Sequence, residues 1–338
     1  MSALSESEHR CHPVAADEDV GALRRAVARM AAGQGGLGAG VAELVATELG
    51  TNLVRHAHPG GYVLARKAGD GIELISVDHG PGMSAADLTT PVSVAPPPRG
   101  RGLNAGLGVV RRQATEFDWY STRRGTVVYA RLGTNSPTTA GGWRFGGVNV
   151  PLGGDGESGD AWAVAPDRRP AAMVVDGLGH GPAAAVAAHA AITTFEQVPV
   201  TDLDHLIRRA HEAMRTTRGC VLGACVIDPR SGELTYAAVG NITGRILTGG
   251  RALHLLDRPG TLGTHLPVPR THLQYCRWEP GSTLVLVSDG IRSGWNLNDH
   301  PRLLERHPAI IAAVLHREYG RPTDDASVLV VQGAGGMP

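Results

Sequence analysis

The sequence has few aromatic residues, no net charge and no long apolar run. Phenylalanine, tryptophan and tyrosine make up 4% of its 338 residues, so we expect cores of valine, leucine, isoleucine and alanine. Because 32 basic residues balance 32 acidic ones, no electrostatic argument favours nucleic acid as a partner. No apolar run approaches the length of a membrane span, so we expect no membrane association.

Cysteines are also few, and neither they nor the histidines show the spacing of a metal site. The four cysteines are therefore expected to be reduced and structural, in a cytoplasmic protein. Residues 1–13 are polar and contain no apolar core, so no secretory signal is expected. A chain of 338 residues is long enough for two domains.

Aspartates stand at the edges of strand-like runs at four places in the C-terminal half. Carboxylate and carbonyl oxygens are the ligands that hard divalent cations prefer, so convergence of these strand ends would build a metal site. Around Asp176, the alternative is a glycine-rich turn between a strand and a helix, with the aspartate as a cap. The residues concerned are Asp160, Asp176-Gly177, Asp289-Gly290 and Asp324-Asp325.

These motifs, in this order, resemble those of the metal-dependent (PPM-type) serine phosphatases, and most closely the SpoIIE/RsbU/RsbX group of bacterial stress and sporulation regulators. The resemblance covers roughly residues 150–332. It implies a β-sandwich flanked by helices and two Mn²⁺ or Mg²⁺ ions, which would activate water and clamp phosphoryl oxygens. It implies Asp176 and Asp289 as catalytic residues. The implied metal ligands are Asp160, Asp176, the Gly177 carbonyl, Asp289, and Asp324 or Asp325.

The N-terminal half contains a polar pair on a predicted helix over residues 41–56. Glu48 and Asn52 are four positions apart, so their side chains project from the same face. A solvated polar face is the alternative interpretation.

Two glycine-containing motifs follow this helix. Asp78 ends a predicted strand beside Gly80 and Gly82, where it could hydrogen-bond a flat heterocycle, although a plain turn has the same composition. Residues 100–108 form a glycine-rich stretch that opens a predicted helix over 109–114. Exposed amides at a helix N-terminus can cradle phosphate, but a lone stretch of this kind is weak evidence.

Taken in order, these motifs resemble the GHKL-type ATP-binding fold, an α/β sandwich, and within it the anti-sigma-factor serine kinases related to RsbT and SpoIIAB. The resemblance covers roughly residues 18–132. It implies Glu48 as the base for a serine hydroxyl, Asn52 as a Mg²⁺ ligand and Asp78 as the adenine contact. The implied ATP-binding glycines are Gly80 and Gly82 beside Asp78, and Gly102, Gly106 and Gly108 at the phosphates.

The sequence therefore predicts a mixed α/β chain in four parts. These are a leader over 1–16, an ATP-binding domain over 17–132, a linker over 133–147 and a phosphatase domain over 148–333. Within the last part, the runs 221–227, 234–239 and 242–247 predict an antiparallel meander.

By resemblance, the substrate is a phosphoserine on a STAS-domain antagonist of an anti-sigma factor, with an anti-sigma or sigma factor as a further partner. Two alternatives stay open. In one, the N-terminal domain only senses nucleotide, which the Asn104-Ala105 interruption of the glycine run favours. In the other, the chain is a non-enzymatic partner-switching module.

Overall fold

The computed structural model describes residues 7–83, 103–134, 139–140, 142–198, 200, 202–264 and 268–333. It divides into two compact units, one formed by Arg10–Pro137 and the other by Met1–His9 together with Thr138–Pro338. The second unit is therefore discontinuous in sequence. No helix in the described part of the chain is long and apolar enough to cross a membrane.

The first unit is one antiparallel sheet covered by helices. Its strands follow the order β1-β2-β3-β5-β4. Apolar side chains of the helices pack on alternating strand residues such as Val63, Ala65 and Leu74, which gives the predicted α/β sandwich. The elements are β1 (Arg10–Val14), α1 (Asp17–Ala31), α2 (Val41–His56), β2 (Gly61–Ala68), β3 (Gly71–Asp78), α3 (Leu103–Gln113), β4 (Glu116–Thr122) and β5 (Gly125–Leu132).

Two predictions for this unit are wrong. Within the predicted leader, Arg10–Val14 form the edge strand β1, where Pro13 is tolerated because an edge strand need not donate every amide. Helix α3 begins at Leu103, so the second half of the predicted glycine loop is helical. Gly102 lies outside the described residues.

The second unit is a β-sandwich flanked by helices, as predicted. One sheet has the strand order β14-β11-β10-β9-β8 and the other β13-β12-β15-β16-β7-β6. Apolar residues such as Trp162, Cys225 and Leu286 fill the space between them. Its strands are β6 (Thr139–Ala140), β7 (Trp143–Val150), β8 (Asp160–Ala165), β9 (Ala171–Gly177), β10 (Cys220–Asp228), β11 (Glu233–Val239), β12 (Thr243–Thr248), β13 (Arg251–Leu255), β14 (Gln274–Arg277), β15 (Thr283–Val287) and β16 (Ala326–Gln332).

Helices cover the outer faces of this sandwich. Helices α4 (Pro182–Gln197) and α5 (Leu203–Ala213) pack on the first sheet, and α6 (Pro308–Tyr319) packs on β7 and β16 of the second. Short 3₁₀ turns occur at Leu152–Gly154 and Leu303–Glu305.

The predicted linker and meander also need correction. The linker prediction is wrong over its last residues, because β7 begins at Trp143, whose side chain is buried between the sheets. The meander is wrong at its third strand, since β12 pairs with β13 and β15 in the other sheet. At this corner Gly240 has a φ of 103°, which lets the chain leave β11 and cross between sheets.

Candidate functional site

Two of the predicted metal-site aspartates face each other on neighbouring strands. Asp160 begins β8 and Asp176 lies near the end of β9, where the antiparallel register pairs them directly. Alanine and valine runs bury both strands and hold this register. Like charges directly opposite each other in a sheet are destabilising. The pair therefore calls for a compensating positive charge.

The other sheet brings its aspartates to a cleft that Asp176 lines, whereas Asp160 is buried and is not among the lining residues. Asp289 lies two residues after β15 and Asp324 two residues before β16, and these strands are antiparallel neighbours. The end of one strand thus adjoins the start of the other. Asp176, Asp289 and Asp324 all line one cleft of about 430 Å³. These three carboxylates share the cleft with a fourth, that of Asp257, which the sequence analysis did not single out.

The adjacent Asp324 and Asp325 have different environments. Asp325 is 3% exposed, and its two carboxylate oxygens accept hydrogen bonds from the amides of Leu152 (2.6 Å) and Gly159 (2.7 Å). Asp324 lines the cleft instead. Asp325 therefore fixes the loop before Asp160, while the Asp324 side chain faces the cleft.

The crowded carboxyls have raised pKa values. Burial raises the pKa of Asp176 to about 9, helped by the charges of Asp160, Asp289 and Asp324 and by a hydrogen bond with Asp289. Burial likewise raises the pKa of Asp160 to about 8, against a 2.6 Å hydrogen bond donated by the Ser288 hydroxyl. The pKa of Asp324 is raised by burial and then by Asp289. Of the charges that act on Asp324, only that of His180 opposes the rise, and no lysine or arginine is among the described residues that line the cleft. A bound cation would supply the missing positive charge.

The donor set fits a hard divalent cation. All the predicted ligands offer oxygen, the type of atom that Mg²⁺ and Mn²⁺ prefer. Among the residues that the structure describes, no three acidic, histidine or cysteine side chains already form a complete ligand set for one ion. A hydrogen bond with Asp289 instead favours the protonated form of Asp176, and Asn241 donates to Asp289 at 2.9 Å. A complete set of side-chain ligands is not required, because main-chain carbonyls such as that of Gly177 and water also ligate such ions. The crowded carboxylates are therefore still suited to bind a cation.

Several polar residues near the cleft have no distinct signal in the sequence. The Arg218 guanidinium lies 3.2 Å from the position that a Cβ on Gly179 would occupy, and Gly179 lines the cleft. Arg218 is exposed, and no acidic partner for it occurs in the described part of the chain. Ser288 and Asn241 hold Asp160 and Asp289 respectively. Only Ser288 could have been suspected, because it directly precedes Asp289.

Three of the predicted N-terminal residues line a separate, small cavity, and Glu48 is not among its lining residues. Asn52 and Asp78 line a space of about 40 Å³, together with Gly82 and apolar side chains such as Leu49 and Leu107. Asp78 Oδ1 accepts hydrogen bonds from the amides of Gly80 (2.8 Å) and Thr126 (3.0 Å). The carboxylate is thereby fixed at the end of β3.

Helix α3 lies against the polar pair of α2. A Cβ on Gly106 would be 2.7 Å from Glu48 Oε2 and 3.2 Å from Asn52 Oδ1, so a larger residue there would push the ends of these two side chains aside. Gly106 and Gly108 therefore lie within a helix rather than in a loop. The Asn52 amide nitrogen is buried and has no hydrogen-bond partner among the described residues. An unpaired polar atom suits a polar ligand, but 40 Å³ is well below the few hundred Å³ typical of ligand pockets.

Comparisons with known families match both units. Residues 14–132 match the family model of the histidine kinase-like ATPase domain, and residues 166–333 match that of stage II sporulation protein E (SpoIIE). The order of the two matches agrees with the two resemblances found in the sequence.

Relatives and solved structures match the C-terminal half. The phosphoserine phosphatase RsbX of Bacillus subtilis (strain 168) is 28% identical over 128 residues, which are 38% of this chain and 63% of that protein. The chain thus matches less than two thirds of that relative. A structure described under "The bacterial stressosome: a modular system that has been adapted to control secondary messenger signaling" is 32% identical, with a TM-score of 0.52 over 56% of this chain and 98% of that one. Crystalline RsbX in complex with magnesium, 22% identical with a TM-score of 0.50 over 56% of this chain and 95% of that one, shares the fold.

Proposed function

Because the chain joins a histidine kinase-like ATPase domain to a SpoIIE-type phosphatase domain, we propose that it is a metal-dependent phosphoserine protein phosphatase under the control of a nucleotide-binding domain. The observation that carries the proposal is the convergence of Asp176, Asp289 and Asp324 on one cleft. Among the described residues that line the cleft, none has a basic side chain, so a bound cation would neutralise the carboxylates there.

The chain's own residues would do three things in this reaction. Asp160, Asp176, Asp289, Asp324 and the Gly177 carbonyl would hold two Mn²⁺ or Mg²⁺ ions. When bound, such ions activate water for attack on phosphorus and neutralise phosphoryl oxygens. Ser288 and Asn241 would orient the carboxylates of Asp160 and Asp289. Arg218, at the rim, would hold the phosphoryl group of the substrate.

We propose a phosphoserine on a STAS-domain antagonist of an anti-sigma factor as the substrate, within a partner switch that controls a sigma factor. The relative named phosphoserine phosphatase and the similar structure from work on the stressosome support this substrate class. The cleft is open enough for a phosphoserine presented by a folded protein, at about 430 Å³.

The direct test is dephosphorylation of a phosphoserine STAS protein by the full chain, with Mn²⁺, with Mg²⁺ and with EDTA. We expect turnover with either metal and none with EDTA. A chain that binds the phosphoprotein but hydrolyses nothing under any condition would refute the phosphatase proposal and support the non-enzymatic partner-switching module.

For the N-terminal domain we propose Mg²⁺-ATP binding, with Glu48 as the base that accepts the proton of a serine hydroxyl. The support is the pair Glu48 and Asn52 on one helix face and the fixed carboxylate of Asp78. ATP binding would require α3 to move away from Glu48, because Gly106 lies against it.

That contact also favours a second function, a nucleotide sensor that transfers nothing. Here the packing of α3 on Glu48 would be the state that nucleotide displaces. Labelled ATP offered to the full chain with an unphosphorylated STAS protein distinguishes the two. Label on serine supports the kinase, and ATP binding without label on protein supports the sensor.

A further inference from the structure

The first described residues of the chain belong to the phosphatase unit, although the whole ATPase domain separates them from it in sequence. Residues 7–9 group with Thr138–Pro338, and Arg10–Pro137 form the other unit. The His9 side chain is fully buried and Ser7 is 4% exposed. Burial of polar residues is costly unless they are hydrogen-bonded, so their partners are informative.

All three residues hydrogen-bond to β7, β8 or the loop between them. The His9 amide donates to the Asn149 carbonyl at 2.7 Å, and the Asn149 amide donates to His9 Nδ1 at 3.3 Å. The Ser7 hydroxyl oxygen accepts from the Trp162 amide at 3.2 Å and from Asn149 Nδ2 at 3.3 Å. Glu8 Oε2 accepts from the Ser158 amide at 3.0 Å.

The partners of this segment hold the main chain of a proposed metal ligand. Asn149 Nδ2 donates to the Asp160 carbonyl at 2.8 Å, and the Asp160 amide donates to the Ser158 hydroxyl at 3.1 Å. Ser158 in turn donates to Asn149 Oδ1 at 2.7 Å. Asn149 and Ser158 are both almost fully buried. Both polar groups of the Asp160 main chain are thus fixed by residues that the N-terminal segment contacts.

We propose that Ser7, Glu8 and His9 are positioning residues of the phosphatase site, which hold the loop before β8 so that Asp160 is oriented for metal binding. The inference rests on the proposed function in one respect, namely that Asp160 serves as a ligand. It assigns a functional role to a segment that lies on the far side of the ATPase domain in the sequence. A phosphatase fragment that starts at the second domain would lack these residues.

The test compares full-length variants for Mn²⁺ binding, measured by calorimetry, alongside melting temperature and phosphatase activity. Ser7→Ala/Glu8→Ala removes two acceptors of the network. We expect it to weaken Mn²⁺ binding about 10- to 100-fold, the usual cost of losing an interaction that orients a ligand. The single variant Glu8→Gln, with Ser7 intact, keeps both acceptors and should bind Mn²⁺ nearly as tightly as the wild type.

The matched control is Glu157→Ala, which removes an exposed carboxylate from the same loop that makes none of these contacts. It should bind Mn²⁺ like the wild type. If Ser7→Ala/Glu8→Ala lowers the melting temperature but binds Mn²⁺ with unchanged affinity, the segment only stabilises the fold and the inference is overturned. A wild-type chain that binds Mn²⁺ yet hydrolyses no phosphoserine would refute the proposed function, while the comparison of Mn²⁺ affinities would still test the inference.

Discussion

The two candidate ligand sites of this chain differ in what each lacks for ligand binding: the C-terminal one lacks positive charge and the N-terminal one lacks volume. The C-terminal cleft is open, at about 430 Å³, and carries carboxyls whose pKa values are raised by burial and mutual repulsion. The N-terminal cavity is about 40 Å³, and Gly106 of a packed helix lies against its polar pair. The C-terminal cleft needs a positive charge to relieve the repulsion among its carboxyls. The N-terminal cavity needs a larger volume before it can hold a ligand. A metal should therefore stabilise one unit without rearrangement, and nucleotide should bind the other only with movement of α3.

Asp176→Asn should have the largest effect on the C-terminal side of this comparison. It removes one negative charge from the strand end that faces Asp160. We expect Mn²⁺-dependent hydrolysis of phosphoserine to fall by more than about 10³-fold, since the cations supply several kcal/mol of charge stabilisation. Steady-state kinetics measure this. The control Asp167→Asn changes an exposed carboxylate of the same unit and should remain active. Normal turnover by Asp176→Asn would exclude it as a ligand.

Glu48→Gln and Asn52→Ala should separate chemistry from binding on the N-terminal side. If Glu48 is a base, Glu48→Gln should leave ATP affinity nearly unchanged and lower phosphoryl transfer by roughly 10²–10⁴. Asn52→Ala should weaken Mg²⁺-ATP binding itself, because it removes an oxygen ligand. Filter binding and transfer of labelled phosphate, run side by side, give the two patterns. Identical behaviour of Glu48→Gln and wild type would leave the sensor as the function of this domain.

Arg218→Ala should have a smaller effect, which lowers kcat/KM for the phosphorylated substrate and leaves metal binding unchanged. The loss of a charge-assisted hydrogen bond to phosphate costs about 1.5–3 kcal/mol, which is roughly 10- to 100-fold in kcat/KM. Mn²⁺ affinity should not change, since a guanidinium does not ligate metals. The neighbouring exposed Arg215→Ala is the control. A parallel loss of activity in both variants would point to general electrostatics rather than to a phosphate contact.

The sequence predicted site residues that lie at the ends of strands. It did not predict residues whose hydrogen-bond partners are distant in sequence. Asp176 and Asp289 were found because apolar runs end at them and glycine follows. Ser7 could not be found, because its partner Asn149 is 142 positions away and neither residue stands in a periodic pattern. Long-range hydrogen bonds of this kind leave no local signal, so the leader and linker predictions failed at their structured ends.

The prediction of a loop over the glycine-rich stretch was wrong for a different reason. Glycine disfavours a helix interior by about 1 kcal/mol, so a run that contains Gly106 and Gly108 predicts a loop. The structure has α3 there, and a Cβ at Gly106 would meet Glu48 and Asn52. Tertiary packing thus overrides the low helix propensity of glycine at these positions. The sequence alone could identify the polar pair Glu48 and Asn52, but not the helix that packs on it.

The last prediction concerns stability without metal, and it tests the charge argument directly. The pKa values of Asp160 and Asp176 are raised from 3.8 to about 8 and about 9. Between those limits the folded chain retains protons that the unfolded chain has released, so the free energy of unfolding must fall as pH rises. Each retained proton contributes up to about 1.4 kcal/mol per pH unit. The melting temperature in EDTA should therefore decrease from pH 5 to pH 8.

Mn²⁺ should stabilise the chain more at pH 8, where fewer protons must be displaced. Asp176→Asn should melt with a shallower pH dependence, and Asp167→Asn should follow the wild type. A slope in Asp176→Asn as steep as in the wild type would mean that Asp176 is not held protonated in the folded wild type, and that repulsion within the cleft is weaker than its geometry indicates.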